Sequence, residues 1–313
     1  MEKRQLGESG IEVSVVGLGC NNFGVLPIAA SRRVIDKAIN LGITLFDTAD
    51  VYGNRGGSES QLGEILGPRR KEIVLATKFA IPMDDAGTKS GASAAYIRQA
   101  CEDSLKRLKT EWIDLYQQHR PDPKTPIEET LRALDDLVKA GKVRAIGCSN
   151  MPADQLESAH ATSRRLGLAA YVTAQDEYSL LVRNIEQALI PTLEKEGMGL
   201  LPYFPLASGL LTGKYEEGKE IPAGTRYARM GRFGERYMTQ ENWRIVAELA
   251  SFAKSKGHTL LELAFAWLIA HPGLSSVIAG ATRPEQVEQN VKAAAWKLSA
   301  TEVSEVNRLT AKA

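Results

Sequence analysis

Four side chains able to move a proton stand just past short apolar runs in the first half of the chain. Asp47 and Tyr52 lie in LFDTADVYG, residues 45–53. Lys78 ends IVLATK, and His119 ends IDLYQQH. Lysine is rarely buried without a partner, yet apolar Phe79, Ala80 and Ile81 follow Lys78, and Asp47 is available as its counter-ion. A phenol, with a pKa of about 10, is a poor acid at neutrality. A neighbouring ammonium favours the phenolate and lowers that value. Asp47 would keep Lys78 charged and in place. Lys78 would tune Tyr52 toward the working pH as a general acid, and His119 would hydrogen-bond the same oxygen. A plain structural salt bridge is the alternative for Asp47 and Lys78. A Schiff base on Lys78, as in aldolases, is a third reading. Asp47 argues against it by holding the amine protonated.

For these residues to meet, the runs must be neighbouring strands. Eight short β-rich runs are present, at residues 15–20, 44–49, 73–79, 113–119, 143–150, 171–178, 199–205 and 276–282. Helical patterns separate them, among them SRRVIDKAINLG, SAAYIRQACEDSLKRLK, PIEETLRALDDLVKAGK and PADQLESAHATSRRLG. The prolines of TPIEE and MPADQ sit at helix starts, where a missing N–H is harmless. The first seven runs recur every 28 to 40 residues or so, which suits parallel strands with helical crossovers. Eight such units predict a closed (β/α)8 TIM barrel rather than an open doubly wound sheet. MEKRQLG and IEVS around ESG predict a hairpin that plugs the barrel's N-terminal end. A long Gly- and charge-rich loop follows strand seven, from SGLLTGKY to GERY, before helical patterns at 240–256 and 259–271. RPEQVEQNVKAAA predicts helix eight, and SATEVSEVNRLT, with Ser and Glu spaced as a capping box, one extra C-terminal helix. No linker divides the chain, so residues 1–313 read as a single barrel domain.

In such a barrel the active site lies at the C-terminal ends of the strands. Besides the four residues above, those ends carry Gln117, Gln118, Ser149, Asn150, Gln175, Asp176, Glu177 and Tyr203. Asn21, Asn22 and Phe23 follow strand one and, with Val51 and Phe79, are expected to line the substrate pocket.

The 39 basic and 38 acidic residues leave a net charge of +1, with no pull toward nucleic acid or membrane. The polar N-terminus lacks a signal-peptide core, and no run approaches the ~20 apolar residues of a membrane span. Cys20, Cys101 and Cys148 are too few and scattered for a disulfide framework or zinc site, and Cys148 reads as a small buried thiol. These features together predict a cytoplasmic enzyme. The GLGCNN turn lacks the third glycine of a dinucleotide fingerprint, and no metal-ligand motif occurs.

The segments FDTADVYG, LATKF, QQH, GCSN, the Gln175 strand end, YFPLASGLLTGKY and GATRPEQVEQN are weakly specific singly. Their order along eight βα units resembles the aldo-keto reductases over nearly the whole chain, in a style similar to the bacterial members related to potassium-channel β-subunits. The resemblance implies a catalytic tetrad of Asp47, Tyr52, Lys78 and His119. It implies NADPH/NADP+ extended across the barrel mouth and a small-molecule aldehyde or ketone as substrate. Ser149, Asn150 and Gln175 match residues that hold the nicotinamide carboxamide, and Tyr203 an aromatic stacked on its ring. Main-chain groups of Phe204, Leu206, Ala207, Ser208 and Leu210 match the stretch under the pyrophosphate, with Lys214 adding charge. Gly280, Ala281, Thr282 and Arg283 would meet the 2′-phosphate, and Gln286 and Asn290 the adenosine end. The physics of that end is consistent: a helix N-terminus attracts phosphate, and a guanidinium fork suits its oxygens. A charged hydrogen bond there contributes roughly 1.5–3 kcal/mol, about tenfold or more in favour of NADPH. The competing reading from the same resemblance is an NADPH-binding, redox-sensing regulatory subunit with slow turnover.

Overall fold

The computed structural model describes residues 1–221 and 236–311. Strands β1 (Lys3–Gln5) and β2 (Glu12–Ser14) pair antiparallel as the expected hairpin. Eight parallel strands follow: β3 (Val16–Gly19), β4 (Leu45–Asp47), β5 (Val74–Phe79), β6 (Ile113–Gln118), β7 (Val143–Ser149), β8 (Tyr171–Glu177), β9 (Gly199–Tyr203) and β10 (Val277–Gly280). They lie side by side in chain order, with β10 returning beside β3. The seam between β9 and β10 closes just before β10. There the Leu200 N–H donates to the Gly273 carbonyl at 2.9 Å, and the Leu200 carbonyl accepts from the Ser275 N–H at 2.9 Å. The sheet is the (β/α)8 barrel that the eight runs predict.

The helices around it are α1 (Ile28–Asn40), α2 (Tyr52–Leu66), α3 (Ala94–Leu108), α4 (Ile127–Lys139), α5 (Ala153–Leu166), α6 (Leu189–Lys195), α7 (Gln240–Ser255), α8 (Leu260–Ile269), α9 (Pro284–Ala293) and α10 (Ala300–Leu309). Pro126 and Pro152 occupy the N-cap positions of α4 and α5. Ser299 and Glu302 form the capping box of α10. Helices α2 and α6 have no counterpart among the patterns read above. In α2 the reason is local: Gly53, Asn54, Arg55 and Gly56 all have positive φ, so its first turn is not a regular helix. Of the long loop after β9, residues 222–235 lie outside the described residues, as do residues 312–313 at the C-terminus. Among the described residues no helix is long and apolar enough to cross a membrane.

Two apolar layers hold the barrel. The larger lies between strands and helices, where Leu18, Phe46, Leu75 and Ile146 meet Val34, Leu62, Ile97, Leu131 and Leu156. The smaller fills the lower barrel, where Leu45, Val74, Leu115, Ala145, Leu201 and Ile278 meet Leu6, Ile11 and Val13 of the hairpin. The hairpin is therefore the plug. Leu6 and Val13 are fully buried there, each contributing roughly 1.5–3 kcal/mol. Gly7 at the hairpin tip has φ +52°, and a Cβ on it would stand 2.2 Å from the Val172 carbonyl oxygen. All three cysteines are buried and free. Burial, with Asp176 nearby, pushes the Cys148 thiol well above its ordinary range, which makes it inert.

Candidate active site

Side chains alternate across a strand. The strands whose lower residues fill the barrel with apolar groups therefore send polar ones inward two positions later. Asp47 lies beside Ala76, and Lys78 stands two residues above Ala76, opposite Gln117. On the next strands Ser149 lies opposite Gln175. The register thus gathers one polar layer above an apolar floor.

Lys78 is fully buried in that layer. Its Nζ donates to Asp47 Oδ2 at 2.7 Å and to the Thr48 carbonyl at 2.9 Å. Asp47 Oδ1 accepts from Gln175 Nε2 at 2.8 Å and from Gln117 Nε2 at 3.1 Å. The carboxylate is therefore held by three partners, which makes its position insensitive to any one of them. Burial alone would push Lys78 down, but Asp47 first and Tyr52 second outweigh it, and its pKa lies above the ordinary value. Lys78 is a fixed ammonium.

Tyr52 begins α2, and its ring centroid is 5.2 Å from Lys78 Nζ. The His119 ring meets it edge-on, with centroids 5.7 Å apart. The structure therefore brings Asp47, Lys78, Tyr52 and His119 together. One expectation needs correcting. Lys78 does pull Tyr52 down, but burial pushes the phenol up by more, and Asp47 adds to the rise, so the net shift is upward. The sequence gives the sign of the ammonium's effect and not the desolvation that opposes it. His119 is pushed the other way: burial, then the charges of Lys78 and Arg120, lower it from 6.5 to about 2. It is a neutral imidazole, and its Nδ1 is buried without a partner among the described residues.

The residues matched to a cofactor ring the mouth. The Ser149 hydroxyl donates to the Gln175 carbonyl at 2.8 Å. The Asn150 amide donates to Ser149 Oγ and to the His119 carbonyl, and its Oδ1 accepts from the Tyr203 hydroxyl at 2.8 Å. After β9 the main chain is left-handed at Phe204, Ala207, Ser208 and Gly209, a geometry that costs energy, and the N–H groups of Ala207 and Gly209 donate to the Phe204 and Leu206 carbonyls. Buried Ser208 Oγ has no partner among the described residues. Leu206 and Leu210 belong to the same turn, the latter buried, and Lys214 Nζ lies 5.1 Å from the Tyr215 ring centroid. After the neighbouring β10, Arg283 is the exposed N-cap of α9, with Pro284 beginning the helix. Gln286 Oε1 accepts from the N–H and hydroxyl of Thr282, and Asn290 is buried on the same helix. Ala281 is buried and Gly280 exposed at the end of β10. A hydroxyl without a partner in a left-handed chain segment after β9, and a helix N-terminus with an arginine cap after the neighbouring β10, fit a dinucleotide phosphate chain.

Two of the residues expected to line the substrate pocket lie elsewhere. Phe23 and Phe79 are fully buried in the layer between barrel and helices, Phe79 with its ring 4.8 Å from Tyr116. With Lys78 pointing inward, strand alternation sends Phe79 outward. Val51 remains half-buried just before Tyr52. Asn21 Oδ1 and Asn22 Nδ2 would each lie 3.3 Å from a Cβ at Gly280, which places these amides beside the α9 end of the mouth. Gln117 was not assigned a role from sequence, although its position two residues before His119 gives it the inward parity of Lys78.

A family model described as the Aldo/keto reductase family matches residues 15–311. An uncharacterized oxidoreductase, YrpG of Bacillus subtilis, is 37% identical over 304 residues, covering 94% of this chain and 91% of the relative. A probable voltage-gated potassium channel subunit beta of Arabidopsis thaliana is 36% identical, with the same coverage. L-glyceraldehyde 3-phosphate reductase of Escherichia coli K12 is 34% identical over 94% of this chain and 87% of its own length.

Proposed function

The chain belongs to the aldo/keto reductase family, and from that premise we propose that this oxidoreductase reduces aldehydes or ketones with NADPH, using Tyr52 as general acid. When bound, the nicotinamide supplies the hydride. The chain's own residues do the rest. Ser149, Asn150 and Gln175 hold the carboxamide, Tyr203 covers the ring, and the left-handed turn at Ala207–Gly209 with Ser208 Oγ receives the pyrophosphate. Arg283 at the α9 N-cap takes the 2′-phosphate, with Gln286 and Asn290 toward the adenosine. The carbonyl oxygen sits between Tyr52 and His119. Neutral His119 donates a hydrogen bond to it and orients it. As negative charge grows on that oxygen, Tyr52 passes it a proton, and the Lys78 ammonium steadies the phenolate left behind. Asp47 keeps Lys78 charged and aimed.

The observation that carries this reading is the Lys78 ammonium, held 2.7 Å from Asp47 and 5.2 Å from the Tyr52 ring centroid. A free amine for Schiff-base chemistry is incompatible with that ion pair. Burial raises Tyr52; the developing charge on the substrate oxygen supplies the demand for its proton. The test is Tyr52→Phe: NADPH affinity stays within about twofold while turnover falls by the 10²–10⁴ typical of a lost general acid. A variant that still turns over carbonyls at the parent rate defeats the assignment. The relatives named as channel β-subunits suggest a second reading, an NADPH-holding regulatory subunit. It predicts tight NADPH but slow turnover with every member of a carbonyl panel.

A further inference from the structure

Asp50 stands two residues before Tyr52 and takes no part in the cluster just described. It is 1% exposed, and neither carboxyl oxygen has a hydrogen-bond partner among the described residues. The Tyr116 hydroxyl on the outward side of β6 is likewise buried and unpartnered there. The groups that act on Asp50 are Glu59 of α2, Arg107 and Tyr96 of α3, the N–H of the adjacent Val51, Lys78 of β5 and Tyr116 of β6. Both cations are already committed. Arg107 Nε donates to Glu59 Oε2 at 2.7 Å, and Lys78 is bound to Asp47. An unpaired carboxylate in such a place is strongly disfavoured against the neutral acid. Burial first and the Glu59 charge second push Asp50 up to about 8, against weaker pulls from Arg107, the adjacent Val51 N–H and Lys78.

The main chain adds a second observation. The Asp50 N–H donates to the Lys78 carbonyl at 3.1 Å, so the turn after β4 is tied to β5 at the lysine itself. Just past Tyr52, residues 53–56 have φ values of 67°, 61°, 65° and 111°, and two of them, Asn54 and Arg55, are not glycine. Side-chain-bearing residues in this region are strained. The turn that leads to Tyr52 is thus tied to β5 by the Thr48 N–H on the Ala76 carbonyl, the Lys78 ammonium on the Thr48 carbonyl and, last before Tyr52, the Asp50 N–H on the Lys78 carbonyl, with strain on the far side of Tyr52.

We propose that Asp50 is a positioning residue that works as an un-ionised carboxylic acid, and that its ionisation loosens the turn that holds Tyr52 against Lys78. The inference rests on the reading of Tyr52 as proton donor. The alkaline decline of turnover would then be set by Asp50, because burial carries the titration of Tyr52 above its ordinary range and that of His119 far below.

The experiment is the pH profile of kcat between pH 6 and 9.5, with NADPH and either 4-nitrobenzaldehyde or methylglyoxal, beside thermal unfolding without substrate. In the parent, kcat falls through about pH 8 and is down about tenfold at pH 9. Asp50→Asn, a neutral isostere, keeps kcat at pH 7 within about twofold and loses the decline. Its melting temperature relative to the parent rises from pH 5 to 8 and then levels. That sign follows from linkage: between the ordinary carboxyl value and about 8 the folded parent keeps a proton the unfolded chain has lost, so parent stability falls as pH rises. Glu59→Gln, which removes the charge that helps raise Asp50, moves the decline to lower pH and covers the case in which Asp50→Asn fails to fold. An unchanged decline in either variant overturns the proposal. So does its abolition by Asp176→Asn, since Asp176 is a second buried carboxyl, raised to about 7. Failure of the Tyr52 reading is distinct: Tyr52→Phe would retain turnover, while the melting difference of Asp50→Asn would stand.

Discussion

Replacing Asp47 by Asn tests whether the buried ion pair holds the site together. Asp47 accepts from Lys78, Gln117 and Gln175 at 2.7–3.1 Å. An amide offers one acceptor oxygen where the carboxylate offers two, and its NH₂ would face a glutamine NH₂. Lys78, fully buried, would keep the Thr48 carbonyl as its firm partner. Breaking one half of a buried pair costs about 3–5 kcal/mol. With an unfolding entropy of about 2.1 cal/mol/K per residue, each kcal/mol moves the melting temperature of a chain this size by about 1.5 °C. The expected loss is therefore about 5–8 °C at pH 7. The pH dependence is more telling. In the parent Lys78 is raised, so its contribution is full below the ordinary lysine value of 10.5 and is lost only above it. In Asp47→Asn, burial is no longer outweighed and pushes Lys78 down. The folded variant then sheds its proton before the unfolded chain does, and the deficit shrinks as pH rises toward that of a free lysine. Thermal melts of both proteins at pH 7 and pH 10 read this out without substrate or cofactor. A deficit under about 2 °C at pH 7, or one that does not shrink by pH 10, would refute the claim that Asp47 keeps the ammonium charged.

Other expectations follow from the cofactor end and the plug. Arg283→Ala should weaken NADPH binding about tenfold or more and leave NADH nearly unchanged; calorimetric titration of both cofactors checks it, and equal losses would remove the 2′-phosphate role. Gly7→Ala should destabilise by more than about 2 kcal/mol, from a positive φ and a backbone clash under the barrel. Urea unfolding measures that loss, and a neutral result would mean that the hairpin does not seat in the barrel floor.

Much of the architecture was legible because its signals are local. Apolar runs at regular intervals marked the strands. The polar residues at the ends of the runs marked the mouth, and Ser299 with Glu302 marked the last helix. The irregular start of α2 was not legible, because four left-handed residues there hide a helix behind glycines and charge. Phe79 was misplaced for a different reason. Whether a residue at a strand end faces pocket or core depends on which neighbour points inward, and Lys78 takes the inward place.

By itself the sequence determined which chemical groups meet, since strand period and barrel order bring Asp47, Tyr52, Lys78 and His119 to one mouth. Only the tertiary structure decided how those groups are charged. Charge state depends on the water removed around each one, and no spacing in the chain records that. Burial and the Asp47 carboxylate make Lys78 a fixed cation, burial raises Tyr52 and lowers His119, and burial leaves Asp50 holding a proton that its residue type would surrender.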